Sequence, residues 1–278
     1  WGKLSEIIND DGGHFSRRPE THFKLLRQLF ECRIAIAQVG IRDTSFLDQT
    51  ITKMGAIAKM WRSGNGKFAH FHGGGETSSE LIEDVLKRCG PTGKVTRHAK
   101  QTGFLRFSSG RTTLIMDCAT PVKPMPENAA SLASFELHLA GSPFIVNVGQ
   151  LSENKELNSA FCQTAAHSAL TLDDYDNYAW AGQNHKLIKD LEIGPATGGM
   201  LVKLSHGGYN DSYGIIHERQ IYLTTGGGNI RGLDTLRYTG MPGEIPKRCV
   251  VRFHLHPRVS AATVNNGTVV LKISVQKA

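Results

Sequence analysis

The spacing of apolar side chains changes period part-way along the chain. Up to about residue 90 the apolar positions recur every three or four residues, which predicts helices. Three helices are distinct: residues 21–40 and 44–64 each end on a glycine, and residues 77–90 begin with Ser and Thr side chains and end with basic ones. The pattern therefore predicts a helical first third of the chain.

Beyond residue 90 the apolar positions alternate with polar ones, which predicts strands. Hairpins are expected around Ser109-Gly110, around Gly141-Ser142 and at the glycine run 226–228. The Pro-rich stretch 120–130 is typical of a loop. Further strands are predicted in the following segments: 167–174, 198–209, 213–225, 250–257 and 268–276.

Short strands divided by Gly, Asn and Asp turns, with no helical pattern between them, favour an antiparallel β-sandwich over a parallel sheet. The predicted architecture is a multidomain α+β protein. A helical domain covers residues 1–92, and a β-sandwich domain covers residues 93–278.

The composition narrows the classes of partner without choosing one. The chain has 278 residues, with 32 Lys+Arg against 25 Asp+Glu and a formal net charge of +7, which favours acidic partners such as nucleic acid, an anionic surface or a polyanionic sugar. The basic residues are dispersed and no row of stacking aromatics is evident, so nucleic acid is not expected. The five cysteines show no CxxC spacing, which argues against a zinc ribbon and against a disulfide framework.

The sequence says less about the setting of the protein. No apolar run of eighteen residues occurs, so no membrane span is expected. The first residue is Trp1, which favours a fragment or a processed product. Either the periplasm or the cytoplasm of a bacterium fits, and the oligomeric state stays open.

Titratable chemistry is concentrated in the stretch NDDGGHFSRRPETHF, residues 9–23. Pro19 fits the first turn of the predicted helix. His14, Arg17, Arg18 and His22 are then expected near the helix N-terminus, where backbone N–H groups attract anions. This arrangement predicts a receptor for a carboxylate or a sulfate; the alternative is solvated arginines and hydrogen-bonded histidines.

A second cluster lies in GNGKFAHFHGGGETSSE, residues 64–80, with Asn65, His70, His72 and Glu76 around three consecutive glycines. Glycines let the backbone approach a ligand or another segment closely. The stretch lacks the Gly-Lys-Ser/Thr ending of a phosphate-binding loop. The alternative to a functional site is a tight turn between domains.

The segment VVRFHLHP, residues 250–257, alternates two kinds of side chain. As a strand it would have an apolar core face and a polar face. The core face would carry Val251, Phe253 and Leu255. The polar face would carry Arg252, His254 and His256. A His-x-His pair can hold a metal if a third ligand such as His217 or His167 approaches; the alternative is a polar face packed on the helical domain.

Five stretches, taken in order along the chain, resemble the heparinase II/III-like family of polysaccharide lyases. They are DGGHFSRRPETHFKLL, FHGGGE, ASFELHLAGSPFIVNVG, AAHSALTL and VRFHLHP. The resemblance implies an α/α toroid followed by an antiparallel β-sandwich, with the last toroid helices present in this chain.

The resemblance also implies cleavage of a uronic-acid polysaccharide by β-elimination. That chemistry needs a group to neutralise the uronate carboxylate, a base for the C5 proton and an acid for the leaving oxygen. We expect the groove between the two domains to bind an acidic polysaccharide or oligosaccharide. The catalytic candidates are His14, His22, His72 and Glu76. The substrate-binding candidates are Arg17, Arg18, Asn65, His70, Arg219, His254 and His256.

Two departures from the family pattern bear on activity. Thr21 stands where relatives usually carry a tyrosine base. Of the ligands of the zinc ion common in relatives, His167 is retained, Asn147 replaces an aspartate, and Ala129 and Ala130 lie near the expected histidine. We therefore expect no zinc at that place and no other cofactor. The alternative function is a non-catalytic carbohydrate-binding or cell-envelope protein that kept the lyase fold.

Overall fold

The first third of the molecule is helical, as predicted. The computed structural model describes residues 2–40, 43–90, 95–120, 129–149, 154–178 and 187–273. The helices here are α1 (Gly2–Ile7), α2 (Pro19–Gln38), α3 (Ser45–Trp61) and α4 (Ser79–Arg88). Pro19 occupies the first turn of α2. The Ser78 side chain caps α4 by accepting a hydrogen bond from the N–H of Leu81.

Antiparallel sheets follow. The first sheet has five strands in chain order: β1 (His98–Ala99), β2 (Phe104–Ser109), β3 (Thr112–Asp117), β4 (Phe135–Leu139) and β5 (Ser142–Ile145). Between the sheets come α5 (Lys155–Phe161) and β6 (Leu170–Leu172).

The second sheet has four strands in the order β10-β9-β8-β7. Its strands are β7 (Ile188–Ala196), β8 (Gly199–Tyr209), β9 (Ile215–Thr224) and β10 (Ile230–Tyr238), with α6 (Asn210–Tyr213) between β8 and β9. Strand β11 (Cys249–Val251) pairs with β6, and β12 (Val259–Thr263) pairs with β13 (Val269–Ile273).

The predicted α+β architecture and the three predicted hairpins are confirmed. Two expectations about the second half are wrong: that it contains no helix, and that residues 250–257 form one continuous strand. The chain forms the helix α5 there, capped by Asn154, although no helical pattern was expected. Most of the predicted Pro-rich loop, and the end of the last predicted strand, lie outside the described residues.

The strand expected over 250–257 is interrupted. It stops at Val251, after which the chain turns away from β6 towards β5, where His256 N–H bonds to the carbonyl oxygen of Phe144. The switch breaks the alternation that defined a core face. Phe253, predicted to be buried, is consequently 52% exposed, and Val251 is exposed as well.

The first sheet is the middle of three layers. Its alternating side chains serve two different cores. Phe104 and Ile115 join the core of the helical layer. Their neighbours Leu105, Leu114 and Met116 pack in a second core with residues of the second sheet, namely Val202, Leu204, Ile221 and Leu223. Strand alternation therefore places the first sheet between helices and strands.

No helix in the described part of the chain has the length and apolarity to cross a bilayer.

A buried carboxylate joins the helical layer to the first sheet. Asp117, at the end of β3, forms an ion pair with Arg17 and lies 3.1 Å from the ring of His72. The Arg17 guanidinium also donates to three backbone carbonyl oxygens, those of Thr102, Gly103 and Ala119. Burial raises the pKa of Asp117, but Arg17 and His72 outweigh this and lower it to about 2.

We predict that Asp117→Ala lowers the free energy of unfolding by about 3–5 kcal/mol, because it leaves the Arg17 charge buried without a partner. Urea denaturation monitored by circular dichroism measures the change. Asp84→Ala is the matched control, since Asp84 pairs with Arg88 on an exposed face of α4 and its loss should cost less than about 1 kcal/mol. Equal losses in the two variants would contradict the proposed role of Asp117.

His22 is a buried, neutral part of the helical core. Its Nδ1 accepts the N–H of His14 at 3.3 Å, so its proton lies on Nε2, which donates to the carbonyl oxygen of Met54 at 2.9 Å. Burial is the main cause that lowers the pKa of His22 to about 4. The unfolded chain has a histidine pKa of about 6.5, so it takes up this proton first as the pH falls.

We predict that stability falls as the pH drops from about 6.5 towards about 4, and that His22 contributes on the order of 3 kcal/mol to the loss. His22→Gln should reduce the slope of unfolding free energy against pH by up to about 1.4 kcal/mol per pH unit in this window. Urea denaturation at several pH values measures the slope. His98→Gln, at a less buried ring, should change it less; an unchanged slope in His22→Gln would contradict the prediction.

Candidate functional site

A groove runs between the helical layer and one end of the first sheet. Its volume is about 640 Å³. One wall comes from residues 63–76, which follow α3, and the other from β4, β5 and residues 254–258. The polar side chains that line it are Ser63, Asn65, Lys67, His70, Glu76, Glu136, Ser142, His138, Asn147, His254, His256 and Arg258.

Glu136 of β4 fixes the relative position of the two walls. One carboxylate oxygen, Oε1, accepts the N–H of His70 at 2.8 Å and the N–H of Asn147 at 3.1 Å. The other oxygen, Oε2, lies 3.3 Å from Nε2 of His138. Burial raises the pKa of Glu136, but the neighbours named here outweigh it, so the pKa is lowered and the group is a carboxylate.

The groove histidines differ in which ring nitrogens are already used. His254 donates from Nε2 to the carbonyl oxygen of Ala165 at 2.9 Å. His256 accepts the N–H of Arg258 on Nδ1 at 3.2 Å, which leaves Nε2 as its N–H donor. His70 makes no ring hydrogen bond to a described residue. His70 therefore has a nitrogen free to accept a proton.

Electrostatics at the groove follow from these positions. Burial, followed by Arg258 and the other histidines, lowers the pKa of His256, so its ring is neutral at pH 7. Lys67 and Glu76 form an exposed ion pair at 2.8 Å, and Lys67 lowers the pKa of Glu76. Arg258 forms no ion pair within the described residues, which makes it the cation available to an acidic ligand.

The structure brings together five of the predicted site residues from distant parts of the sequence: Asn65, His70, Glu76, His254 and His256. Stretch 9–23, by contrast, turns mostly inward. His14, Arg17 and His22 are buried. Arg18 donates to the carbonyl oxygen of Gly73 at 3.0 Å, and Glu20 accepts the N–H of Gly75.

These contacts correct the predicted anion receptor at the start of α2. The helix entrance is occupied by its own chain, because Arg17 reaches β3 and the α2 terminus holds the glycine loop 73–75. His72 is likewise enclosed, with Nδ1 accepting the N–H of Ala129 and Nε2 facing Asp117. Both nitrogens of this ring therefore face groups inside the fold, a backbone N–H on one side and a buried carboxylate on the other.

Arg219 lies in the second sheet and not in the groove. It donates to the carbonyl oxygens of Ala133 and Ser168 and forms an ion pair with Asp234. His217 donates to the same aspartate at 2.8 Å and accepts from His206 at 2.9 Å. Because these groups satisfy one another inside the sandwich, Arg219 and His217 do not reach a ligand in the groove.

The residues at the zinc position of the family do not fit a zinc site. His167 is buried, and its Nδ1 donates to the carbonyl oxygen of Gln163. Asn147 offers a neutral amide in place of a carboxylate, and the alanines 129 and 130 offer no ligand. Within the described residues, no group of three His, Cys, Asp or Glu side chains could hold a metal ion.

Four residues of the groove were not predicted from the sequence: Lys67, Glu136, His138 and Arg258. The signal for two of them was present in FELHL, where Glu136 and His138 alternate with apolar residues at β4. An acidic and an imidazole side chain on one face of a buried strand is unusual and requires partners on the next layer. Lys67 and Arg258 lie in loops, where the sequence carries no periodic signal.

The sequence matches the profile of the family described as "Heparinase II/III-like, C-terminal" over residues 91–277. Among solved structures, a mutant of the heparan sulfate lyase HepC from Pedobacter heparinus has a TM-score of 0.73, with 16% identity over 94% of this chain and 43% of that one. A heparinase III gene product has a TM-score of 0.65, with 16% identity over 84% of this chain and 39% of that one. At such identities the structural likeness shows the fold.

A curated relative carries a different description. FtsZ-localized protein C of Caulobacter vibrioides is 26% identical over 97% of this chain and 50% of its own length. The chain thus spans about half the length of the curated relative that it matches.

The profile match covers more than half of the chain, and the fold agrees with it independently. Helices followed by an antiparallel sandwich, with a groove between them, are common to the structure and to the arrangement expected from the sequence motifs. The chain therefore belongs to the heparinase II/III-like family, whose C-terminal domain it carries in residues 91–277.

Proposed function

We propose that the groove binds an acidic polysaccharide that contains uronic acid and cleaves it by β-elimination. The observation that supports this most directly is the composition of the groove: imidazoles and a guanidinium from two layers meet in a cavity of about 640 Å³, in a chain of the heparinase II/III-like family. A sugar acid in this cavity would find both a cation and groups able to move protons.

Arg258 and His256 are the proposed receptor for the uronate carboxylate. The Nε2–H of His256 and the N–H groups of Arg258 are donors, and a guanidinium pairs well with a carboxylate. Neutralising the carboxylate stabilises the negative charge that develops when C5 loses its proton. The amide of Asn65 lies in the same groove and provides a further polar contact for the sugar.

His70 is the proposed base. Its ring makes no hydrogen bond to the described residues, and Glu136 accepts its backbone N–H at 2.8 Å, which holds the His70 backbone at the groove wall. After taking the C5 proton, the imidazolium can return it to the leaving oxygen of the glycosidic bond. One histidine can thus serve as the base and then as the acid.

We predict a division of effects between these residues. His70→Gln should lower kcat by roughly 10²–10⁴-fold with little change in KM, because it removes the proton acceptor. Arg258→Gln should raise KM and also lower kcat, because it removes a cation that binds the uronate carboxylate and stabilises the charge that develops at C5. Ultraviolet absorbance of the unsaturated uronate product, with heparan sulfate, hyaluronan and alginate as substrates, measures both.

Arg248→Gln is the control, since Arg248 is an exposed arginine paired with Asp174 outside the groove. The measurement uses the full-length protein over a range of pH. If the parent releases no unsaturated product from any of these polymers, elimination is refuted. Binding without turnover would support the carbohydrate-binding alternative, in which the lyase fold is kept without catalysis.

A second candidate function is suggested by the similarity to FtsZ-localized protein C, which extends over 97% of this chain. No tyrosine lines the described groove, and Thr21 occupies the place of the tyrosine expected from the family resemblance. We propose, as the alternative to catalysis, that the protein acts at the site of FtsZ assembly. In that role its sugar groove would be a binding surface.

Under this alternative, a fluorescent fusion of the full-length protein should co-localise with FtsZ. His70→Gln should leave the localisation intact, because proton transfer is not required for it. Fluorescence microscopy of dividing cells that express both proteins measures the overlap. A uniform distribution of the fusion, independent of FtsZ, would refute the alternative and leave the lyase proposal untouched.

A further inference from the structure

Strand β10 is a long, regular edge of the second sheet. It pairs with β9 over nine residues without a register shift, and within the described residues no strand pairs with its other side. Leu233 is 56% exposed and Tyr238 is 65% exposed on this strand. Of the features that usually block pairing at such an edge, β10 lacks a bulge, a proline and a lysine, and its charged side chains are Arg231, Asp234 and Arg237.

A cavity lies beneath this edge, where the two sheets of the sandwich separate. Its volume is about 210 Å³. Its apolar lining comes from both sheets and from the exposed ring of Phe253: Phe135, Leu137, Ile145, Ile221, Ile230 and Phe253. Gly232 faces the cavity from β10, and a Cβ built on it would meet no atom nearer than 3.9 Å.

The geometry of a sheet shows what would fill this space. A strand added beside β10 would continue the hydrogen-bond ladder and direct every second side chain inward. Those inward side chains would lie next to Gly232, above Ile145 and Phe253. The Arg219–Asp234 ion pair at the cavity floor is already neutralised, so the cavity favours an apolar group.

The outward face of β10 sets the charge of the added strand. Arg231 and Arg237 lie there, three residues before and three residues after Asp234, and neither forms an ion pair within 4 Å in the described part of the chain. Acidic side chains opposite them would be stabilising cross-strand partners.

A second copy of the chain fits this edge less well. If two β10 strands paired antiparallel about Asp234, Arg231 of each would lie opposite Arg237 of the other. Like charges in that position are destabilising. The register shift that places Arg231 opposite Thr235 leaves Arg237 and Tyr238 without a partner in the other β10.

We propose that β10 is a docking edge for an extended segment of a partner protein, in which acidic and apolar residues alternate. The segment adds a fifth strand to the second sheet. Its apolar side chains close the cavity above Gly232, and its acidic side chains face Arg231 and Arg237. This inference does not depend on the function of the groove.

The test uses the full-length protein and capped nine-residue peptides of alternating valine and glutamate, with alternating valine and lysine as the matched control. Fluorescence anisotropy measures affinity, and amide hydrogen exchange locates the peptide. We expect saturable binding of the glutamate peptide, at least roughly tenfold tighter than the lysine peptide, with added protection of the amides in β10.

Two variants test the geometry. Gly232→Val fills the cavity with a residue that favours strands, so it should leave thermal stability unchanged or raised and weaken the glutamate peptide roughly tenfold or more. The double variant Arg231→Glu, Arg237→Glu should reverse the preference between the two peptides. The proposal is overturned if neither peptide binds, if protection appears elsewhere, or if Gly232→Val binds as the parent does. A dimer protected at β10 and dissociated by Gly232→Val would overturn it in favour of a second copy.

Discussion

The structure depends on one buried carboxylate, Asp117, at the boundary between the helical layer and the first sheet. A charge in this position is costly unless it is paired and fully hydrogen-bonded. Arg17 and His72 come from two separate stretches of the helical part, and both converge on it. The interaction thereby fixes the start of α2 and the glycine loop 73–75 against β3, and the rest of the layer packs from there.

Glu136 repeats the same principle one strand away. Asp117 and Glu136 lie on adjacent strands, on the face of the first sheet that meets the helices. Asp117 is enclosed by its partners. Glu136 instead holds the backbone of His70 and Asn147 at the edge of a cavity. A buried, hydrogen-bonded carboxylate therefore closes the interface between helices and sheet at Asp117 and shapes the groove at Glu136.

These two carboxylates explain what the sequence could predict and what it could not. Helices and hairpins follow from local periodicity, caps and turns, which the sequence displays directly. The role of stretch 9–23 does not, because local spacing shows that Arg17 and His22 are near a helix start without showing which way they point. Because Arg17 and His22 are buried, they have structural roles and do not face a ligand. Glu136 and His138, which lie within an apolar strand, form the groove wall.

The prediction of a continuous strand over residues 250–257 was wrong for a related reason. Their alternation is genuine, but the chain changes its pairing partner after Val251, from β6 to β5. Tertiary pairing overrode the local pattern. That change exposes Phe253 and at the same time delivers His254, His256 and Arg258 to the groove, so the irregularity that defeated the prediction is what builds the site.

Strand β4 connects the groove with the open flank of the sandwich. Successive side chains on a strand point to opposite faces, so Glu136 and His138 line the groove while Phe135 and Leu137 line the cavity under β10. The two surfaces are thus a single strand thickness apart and share no side chain of β4. Substitutions on one face of this strand can alter the groove while leaving the other face's lining in place, so the proposed sugar chemistry and the proposed strand docking can be tested separately in the same fold.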